Sequence, residues 1–126
     1  MWREWLAVAV GGALGSLARY ALLLLFSLGG VAWLPWATLL ANVLGCLAIG
    51  WLAHWAVQQT ATNQWWVIGV RVGLLGGLTT FSSFALDVLR MWQTDRAGFS
   101  VVLACTHVAL GIGCVALGMW LAKYYA

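Results

Sequence analysis

The chain has very few charged residues. Asp, Glu, Lys and Arg make up 7% of its 126 residues, whereas soluble domains carry about 25%. The mean hydropathy is +0.96. So few charges cannot cover the surface of a water-soluble domain. The composition therefore predicts an integral membrane protein with a single domain over residues 1–126.

The chain also lacks the residue patterns of most enzymes and metal sites. Its three cysteines are an odd number, form no CxxC motif and lie inside apolar runs: Cys46, Cys105 and Cys114. This pattern argues against a disulfide framework or a cysteine metal site. Neither a nucleophile–base arrangement nor a phosphate-binding loop is present, and we predict that the protein is not an enzyme. The basic residues are scattered, so nucleic acid is not an expected partner.

Long apolar runs predict four membrane-spanning helices. Residues 20–70 contain no Asp, Glu, Lys or Arg, which is long enough for two spans of about 20 residues each. The sequence SLGG, followed by Pro35, separates those two spans. Nine of the ten tryptophans fall at or near the proposed helix ends, where indole prefers the membrane–water interface. The predicted helices cover residues 4–27, 35–57, 66–91 and 98–122.

The positive charges give no preferred orientation. With four spans, three basic residues lie on each side of the membrane: Arg3, Arg71 and Lys123 against Arg19, Arg90 and Arg96. The positive-inside rule therefore does not choose a side. Copies inserted both ways could pair as an antiparallel dimer. The alternative is that weak local signals select one orientation.

A polar face in the second helix has two interpretations. Thr38, Asn42 and Gly45 recur at i, i+4 and i+7, so they share one side of the helix. Asn42 could form an interhelical hydrogen bond, with Gly45 allowing close approach. Its amide could instead donate hydrogen bonds to a passing anion. Position alone favours the first interpretation.

Other polar residues in the spans are few. Arg19 could extend to the interface or line a water-filled vestibule. His107 is more typical of an interhelical hydrogen bond than of a proton carrier. Asp87 and Arg90 have the spacing of an ion pair. Proton-coupled carriers generally need a carboxylate within the membrane, and Asp87 is the only candidate.

The segment GLLGGLTTFSSF, residues 73–84, is unusual for a membrane helix. Glycines weaken a helix and hydroxyls can bond to its backbone, so this composition predicts a local break in the third helix. Non-helical backbone at membrane depth must be buried in protein or line a cavity. The carbonyl groups that a break frees can hold a cation.

Two phenylalanines follow the predicted break. Phe81 and Phe84 are three residues apart and share a helical face. Phenylalanine is an ordinary lipid-facing residue, which is one interpretation. The other uses the positive edge of the ring. Ring edges with hydroxyl and amide donors beside them could hold a small anion weakly enough to let it leave again.

Three segments together resemble one protein family. GGALGSLARY (11–20), ATLLANVLGCLAIG (37–50) and GLLGGLTTFSSF (73–84) are similar, in order and spacing, to the motifs of the Fluc (CrcB) fluoride channels. Ala37 and Ser83 depart from the usual residues of those motifs. The resemblance covers nearly the whole chain. It implies a passive fluoride channel in the bacterial inner membrane, built as an antiparallel dual-topology homodimer.

The resemblance also implies roles for individual residues. Phe81 and Phe84 would form a pore box of rings, and Asn42 would line the pore with its amide. Thr38 and Ser83 would join a track of hydroxyls, and Arg19 would lie at the vestibule. The third helix would break over Gly76 to Thr79, and the carbonyls of these two residues would hold a structural sodium ion at the dimer centre.

Helix 4 departs from the family pattern. Hydroxyl residues often follow the position of His107 at intervals of one turn, but this chain has Gly111 and Val115 there. Thr106 or water would have to replace them, or the track is shorter. Two other functions compete with the channel: a small dual-topology multidrug exporter, which needs a carboxylate inside helix 1, and a non-transporting membrane assembly protein.

Overall fold

The computed structural model describes residues 1–29, 35–58, 65–94 and 96–125. All regular structure in these residues is helical, and four segments are long and apolar enough to cross a membrane. The prediction of an all-helical chain with four spans is therefore confirmed. The predicted connections over 30–34 and 59–64, together with Asp95, lie outside the described residues.

Three of the spans are single helices. Helix α1 covers Trp2–Leu28, α2 covers Trp36–Gln58 and α6 covers Ala97–Tyr125. At 1.5 Å per residue, each exceeds the hydrocarbon thickness of about 30 Å. Their ends lie within three residues of the predicted limits.

The third span, Trp65–Gln93, is assembled from several pieces. It begins with α3 (Trp65–Ile68), continues as a π-helical segment (Gly69–Leu75) and ends its first half with α4 (Gly76–Leu78). Helix α5 (Phe81–Gln93) forms the second half. Insertions of π-helix are rare and are frequently found at functional sites.

A glycine seam joins α1 to the first half of the third span. Four glycines form it: Gly11, Gly15, Gly73 and Gly77. A Cβ atom added at Gly11 would collide with the Gly69 carbonyl oxygen, and one added at Gly77 would lie 2.6 Å from the Gly12 carbonyl oxygen. Small residues thus let the two backbones approach closely, as membrane helix interfaces require.

A second close contact holds α6 against α2. A Cβ atom at Gly118 would collide with the Leu47 carbonyl oxygen, and one at Gly50 with the Val115 carbonyl oxygen. Ser100, at the start of α6, is buried and donates a 2.7 Å hydrogen bond to the Val88 carbonyl of α5. These contacts pack α6 against both α2 and α5.

Candidate functional site

The backbone of the third span is extended at two residues. Thr79 has φ −80° and ψ 154°, and Thr80 has φ −154° and ψ 119°. Both residues lie between α4 and α5. The sequence prediction placed the break over Gly76 to Thr79, whereas Gly76 keeps α-helical dihedrals of φ −65° and ψ −35°. The extended residues are therefore the threonines that follow the glycines.

Asn42 of α2 pairs with the backbone of Thr80 at both of its polar groups. The side-chain Nδ2 donates to the Thr80 carbonyl at 3.1 Å, and Oδ1 accepts from the Thr80 N–H at 2.8 Å. This two-point pairing imitates a strand partner and satisfies backbone groups that have left the helix. It realises the interhelical hydrogen bond expected at Asn42 and leaves one of the two Nδ2 hydrogens for another acceptor.

Thr80 is the residue that the sequence analysis missed. It is the N-cap of α5, and its Oγ1 accepts a 3.2 Å hydrogen bond from the Ser83 N–H. Threonine is among the preferred residues at an N-cap. The spacing of Thr80 and Ser83, with Phe81 opening the helix, was a visible signal for this cap. The free N–H groups at the start of α5 and its dipole favour a negative charge nearby.

Pairing at the interruption frees two carbonyl groups. In a continuous helix, the Gly76 carbonyl would accept from the Thr80 N–H, and the Thr79 carbonyl would accept from the Ser83 N–H. These two N–H groups donate instead to Asn42 and to the Thr80 hydroxyl. The Gly76 and Thr79 oxygens therefore lose their helical partners. Thr79 itself remains tied to the preceding turn through its N–H and hydroxyl, which both donate to Leu75.

Arg19 lies against the same interruption. Its Nε donates a 3.2 Å hydrogen bond to the carbonyl of Gly77, and the residue is half-buried. The contact satisfies one of the last carbonyls of α4 with a cation, which the C-terminal end of a helix favours. Arg19 therefore holds α1 to the end of α4.

A central cavity of about 370 Å³ opens beside the extended residues. It contains five of the predicted site residues, namely Asn42, Gly76, Thr79, Phe81 and Phe84. The lining also includes residues that the sequence analysis did not assign to it: Cys46, Arg71, Thr80, His107 and Gly111. Thr38, Ser83 and Arg19 are not on this lining.

Aromatic rings form one wall of the central cavity. The Phe81 and Phe84 rings meet edge to face, with centroids 5.5 Å apart and planes at 62°. The Phe84 ring also packs on His107, with centroids 4.4 Å apart. In the single chain, Phe81 is 78% exposed. The pair therefore presents both a ring face and a ring edge to its surroundings.

Thr38 and Ser83 make hydrogen bonds next to the cavity. Buried Thr38 donates to Asp87 Oδ2 at 3.1 Å, so its hydroxyl hydrogen is already used. Within the described residues, Asp87 accepts this bond and does not form the expected ion pair with Arg90. Ser83 contacts Thr80 through its N–H and its hydroxyl.

The site combines neutral donors and backbone oxygens with one basic side chain, Arg71, on the cavity lining. Among the described residues, no three His, Cys, Asp or Glu side chains come together as a metal site. The central cavity combines an amide, hydroxyls, ring edges and the N-terminal end of α5. These features define a small four-span membrane protein whose third span is interrupted beside a mainly apolar cavity that holds a few polar groups, an architecture suited to the passage of ions.

The chain belongs to the CrcB-like protein family. The profile of this family, described as CrcB-like protein, Camphor Resistance (CrcB), matches residues 6–119. Relatives named fluoride-specific ion channel FluC are similar over nearly the full chain. The relative from Saccharophagus degradans is 34% identical over 125 residues, covering 94% of this chain and 89% of its own length.

Two further relatives with the same name agree. The protein from Pseudomonas paraeruginosa is 38% identical over 121 residues, covering 95% of this chain and 94% of its own. The protein from Caulobacter vibrioides is 37% identical over 124 residues, covering 94% of each chain. The similarity therefore includes all four spans and the interruption.

Proposed function

We propose that this protein is a fluoride-selective channel that exports cytoplasmic fluoride passively down its electrochemical gradient. One observation carries the proposal. The third span is interrupted at Thr79 and Thr80, where Asn42, the start of α5 and the Phe81–Phe84 pair face one cavity. Family membership and the names of the relatives support fluoride as the ion.

The donors nearest the interruption are neutral. The Asn42 amide keeps one hydrogen free, the first turn of α5 offers unpaired N–H groups, and the ring edges carry partial positive charge. Such groups replace part of the hydration shell of fluoride without a fixed countercharge that would trap it. Ser83 and Thr38 extend the path as oxygen-bearing side chains, and Arg19 provides positive charge near its mouth.

We further propose that the interruption holds a structural sodium ion. The carbonyls of Gly76 and Thr79 fit this role, because their helical donors are bound elsewhere and unwound carbonyls coordinate sodium in other transporters. When bound, the ion would be coordinated by these oxygens and would stabilise the non-helical backbone. Space beside Gly76 is open, since a Cβ atom there would contact nothing within 4 Å.

The proposed assembly is an antiparallel dual-topology homodimer in the bacterial inner membrane. The balanced count of basic residues supports insertion in both orientations. Phe81 and Gly76 are exposed in the single chain, and a second copy would cover them at the interruption. The protein then acts as a channel and catalyses no covalent reaction.

Two competing functions lose support from the geometry. An exporter needs a carboxylate at membrane depth in α1, but Glu4 contacts the N-terminal amine at 3.9 Å and its side chain is 47% exposed. An assembly protein would use its glycine repeats to bind partners. In this protein the glycines of the seam already pack α1 against the third span of the same chain, so they are not available to bind a partner.

Reconstitution tests the function directly. The purified protein is placed in liposomes loaded with potassium fluoride, valinomycin is added, and external fluoride is followed with an electrode. We expect rapid fluoride efflux that protein-free liposomes do not show. Matching liposomes loaded with potassium chloride and followed with a chloride electrode should show almost no chloride efflux.

The two arms separate function from selectivity. Absence of fluoride efflux from correctly folded protein would refute the channel. Equal efflux of chloride and fluoride would leave a channel but remove its selectivity. A separate experiment tests the sodium ion: the thermal stability of the protein is compared between liposomes prepared with sodium and liposomes prepared with N-methylglucamine. Equal stability of the protein in both would argue against a structural sodium ion.

A further inference from the structure

Helix α6 lines two cavities of the described residues in which His107 is its one nitrogen- or oxygen-bearing side chain. In the central cavity it places His107, Val108 and Gly111. A neighbouring α6 cavity of about 520 Å³ has His107 in common with it, and its other lining residues are apolar or sulfur-bearing: Cys46, Val108, Gly111, Ile112, Val115, Ala116 and Met119. His107 lies where the two cavities meet.

The hydrogen bond of His107 determines which ring nitrogen carries a hydrogen. Nδ1 lies 3.2 Å from the Leu103 carbonyl, one turn earlier in the same helix. A carbonyl oxygen only accepts, so Nδ1 must donate. In the neutral ring, Nε2 is then a bare lone pair. An anion accepts hydrogen bonds, and neutral His107 therefore has no N–H group to donate to fluoride.

The second nitrogen of the ring has no partner among the described residues. Nε2 is buried and makes no hydrogen bond to this part of the chain, and His107 as a whole is only 9% exposed. Because Nδ1 is bound to its own helix, Nε2 lies on the opposite side of the ring, away from the α6 backbone. An unpaired buried polar atom is destabilising, so its presence calls for a functional explanation.

Burial is the largest influence on the charge of the ring and disfavours the protonated form, whereas two neighbours of the ring stabilise a positive charge. His107 packs on Phe84 with centroids 4.4 Å apart, and a cation near an aromatic face is stabilised by the ring quadrupole. The Asp87 carboxylate of α5 also acts on His107 electrostatically. Protonation would turn Nε2 into a donor beside the ring proposed to bind fluoride.

Resting on the proposed fluoride channel, we infer that His107 is the fluoride-binding residue that α6 contributes, and that it binds fluoride only in its protonated form. The protonated ring replaces the hydroxyl groups that Gly111 and Val115 cannot supply. It also makes conduction depend on pH. Histidine changes charge between about pH 5 and 8, and because burial disfavours the charged ring, the increase lies toward the acid end of that range. Fluoride passage through this chain therefore increases as the pH falls.

Other ionisable groups face the same region and must be separated from His107. Asp87 acts from α5, Cys46 from α2 and Arg71 from the π-helical segment. An ionised acidic group in this region opposes the entry of an anion, and the positive charge of Arg71 attracts one. The test therefore needs variants at more than one position.

The test is the pH profile of fluoride efflux at low fluoride concentration, with equal pH on both sides of the liposome. Protein-free liposomes at each pH measure the leak of neutral hydrogen fluoride, which is subtracted. We expect the wild-type rate to rise several-fold from about pH 8 to about pH 5.5. The variant His107→Gln, which keeps a neutral donor at every pH, should conduct with a flat profile.

His54→Gln is the matched control, because it alters the other histidine of the chain, and it should keep the wild-type profile. Asp87→Asn should shift the profile without removing it. A wild-type rate independent of pH, a persistent pH dependence in His107→Gln, or its loss in Asp87→Asn alone would overturn the inference. The wild-type profile tests it even if a variant fails to fold. Absence of efflux at every pH would instead refute the channel itself.

Discussion

At the scale of single residues, Asn42 acts primarily by positioning Thr80. Both polar groups of its amide bind the Thr80 backbone, so the side chain fixes the interruption and presents its remaining hydrogen to the cavity. An amide is suited to this task because it carries a donor and an acceptor side by side. A carboxylate or a hydroxyl could satisfy only part of the pairing.

Replacing Asn42 tests this role. Asn42→Asp retains an acceptor for the Thr80 N–H but loses the donor for its carbonyl, so we expect destabilisation of about 1–3 kcal/mol together with loss of fluoride efflux. Thermal unfolding in detergent and efflux from liposomes measure the two effects. Ser27→Ala, at an exposed position near the end of α1, is the control and should change neither quantity. Wild-type stability in Asn42→Asp would show that the pairing is dispensable.

The two rings are a separate residue-scale prediction. Phe81→Ile and Phe84→Ile keep apolar bulk but remove the ring edges, so each should lower fluoride efflux at least about tenfold if the edges coordinate the ion. Phe99→Ile, on the exposed surface of α6, should conduct normally. Size-exclusion chromatography checks that each variant assembles like the wild type. Unchanged efflux in both ring variants would make Phe81 and Phe84 ordinary apolar surface.

Side-chain pairings were the least predictable part of the site. Spacing placed Phe81 beside Phe84 and indicated a hydrogen-bonding role for Asn42, because both inferences depend only on helical periodicity. The contacts from Thr38 to Asp87 and from Arg19 to Gly77 join different helices. Such pairs depend on how the helices are rotated and shifted against one another. A single sequence without a docked partner helix does not determine that arrangement.

At the scale of helices, the glycine seam determines where the third span can bend. It holds α1 against the first half of that span, up to Gly77. Beyond this point, α5 leaves α1 and packs on α6 through Ser100. The composition of GLLGGLTTFSSF allowed a break to be predicted. Its position at Thr79 and Thr80 follows from the N-cap at Thr80 and from the reach of Asn42.

Adding a methyl group in the seam tests its importance. In Gly15→Ala the new Cβ would collide with the Leu74 carbonyl oxygen and lie 2.8 Å from the Leu78 nitrogen. Separating two backbones in this way should cost about 1–3 kcal/mol, measured as a lower midpoint of thermal unfolding. Gly113→Ala is the matched control, since its Cβ would meet nothing within 4 Å. Equal midpoints for the two variants would contradict close packing at Gly15.

At the scale of the whole molecule, topology is the property with the clearest test. In a cysteine-free background, single cysteines are placed at Glu4 and Thr94, which lie near opposite ends of the bundle by helix order. Dual insertion predicts that an impermeant maleimide added outside intact cells labels about half of each variant, because neither orientation is preferred. Labelling after membrane permeabilisation gives the total. Labelling of only one variant from outside would exclude dual topology.

The pairing of Asn42 with Thr80 also imposes an order on biogenesis. Helix α2 is synthesised before the third span, so the Asn42 amide is already in the bilayer when Thr80 is inserted. Without that amide, the exposed N–H and carbonyl of an extended residue would face lipid, at several kcal/mol for each group. A third span inserted without α2 would therefore form a continuous helix. The interruption depends on α2, which is inserted first and acts as a template for the backbone that follows it.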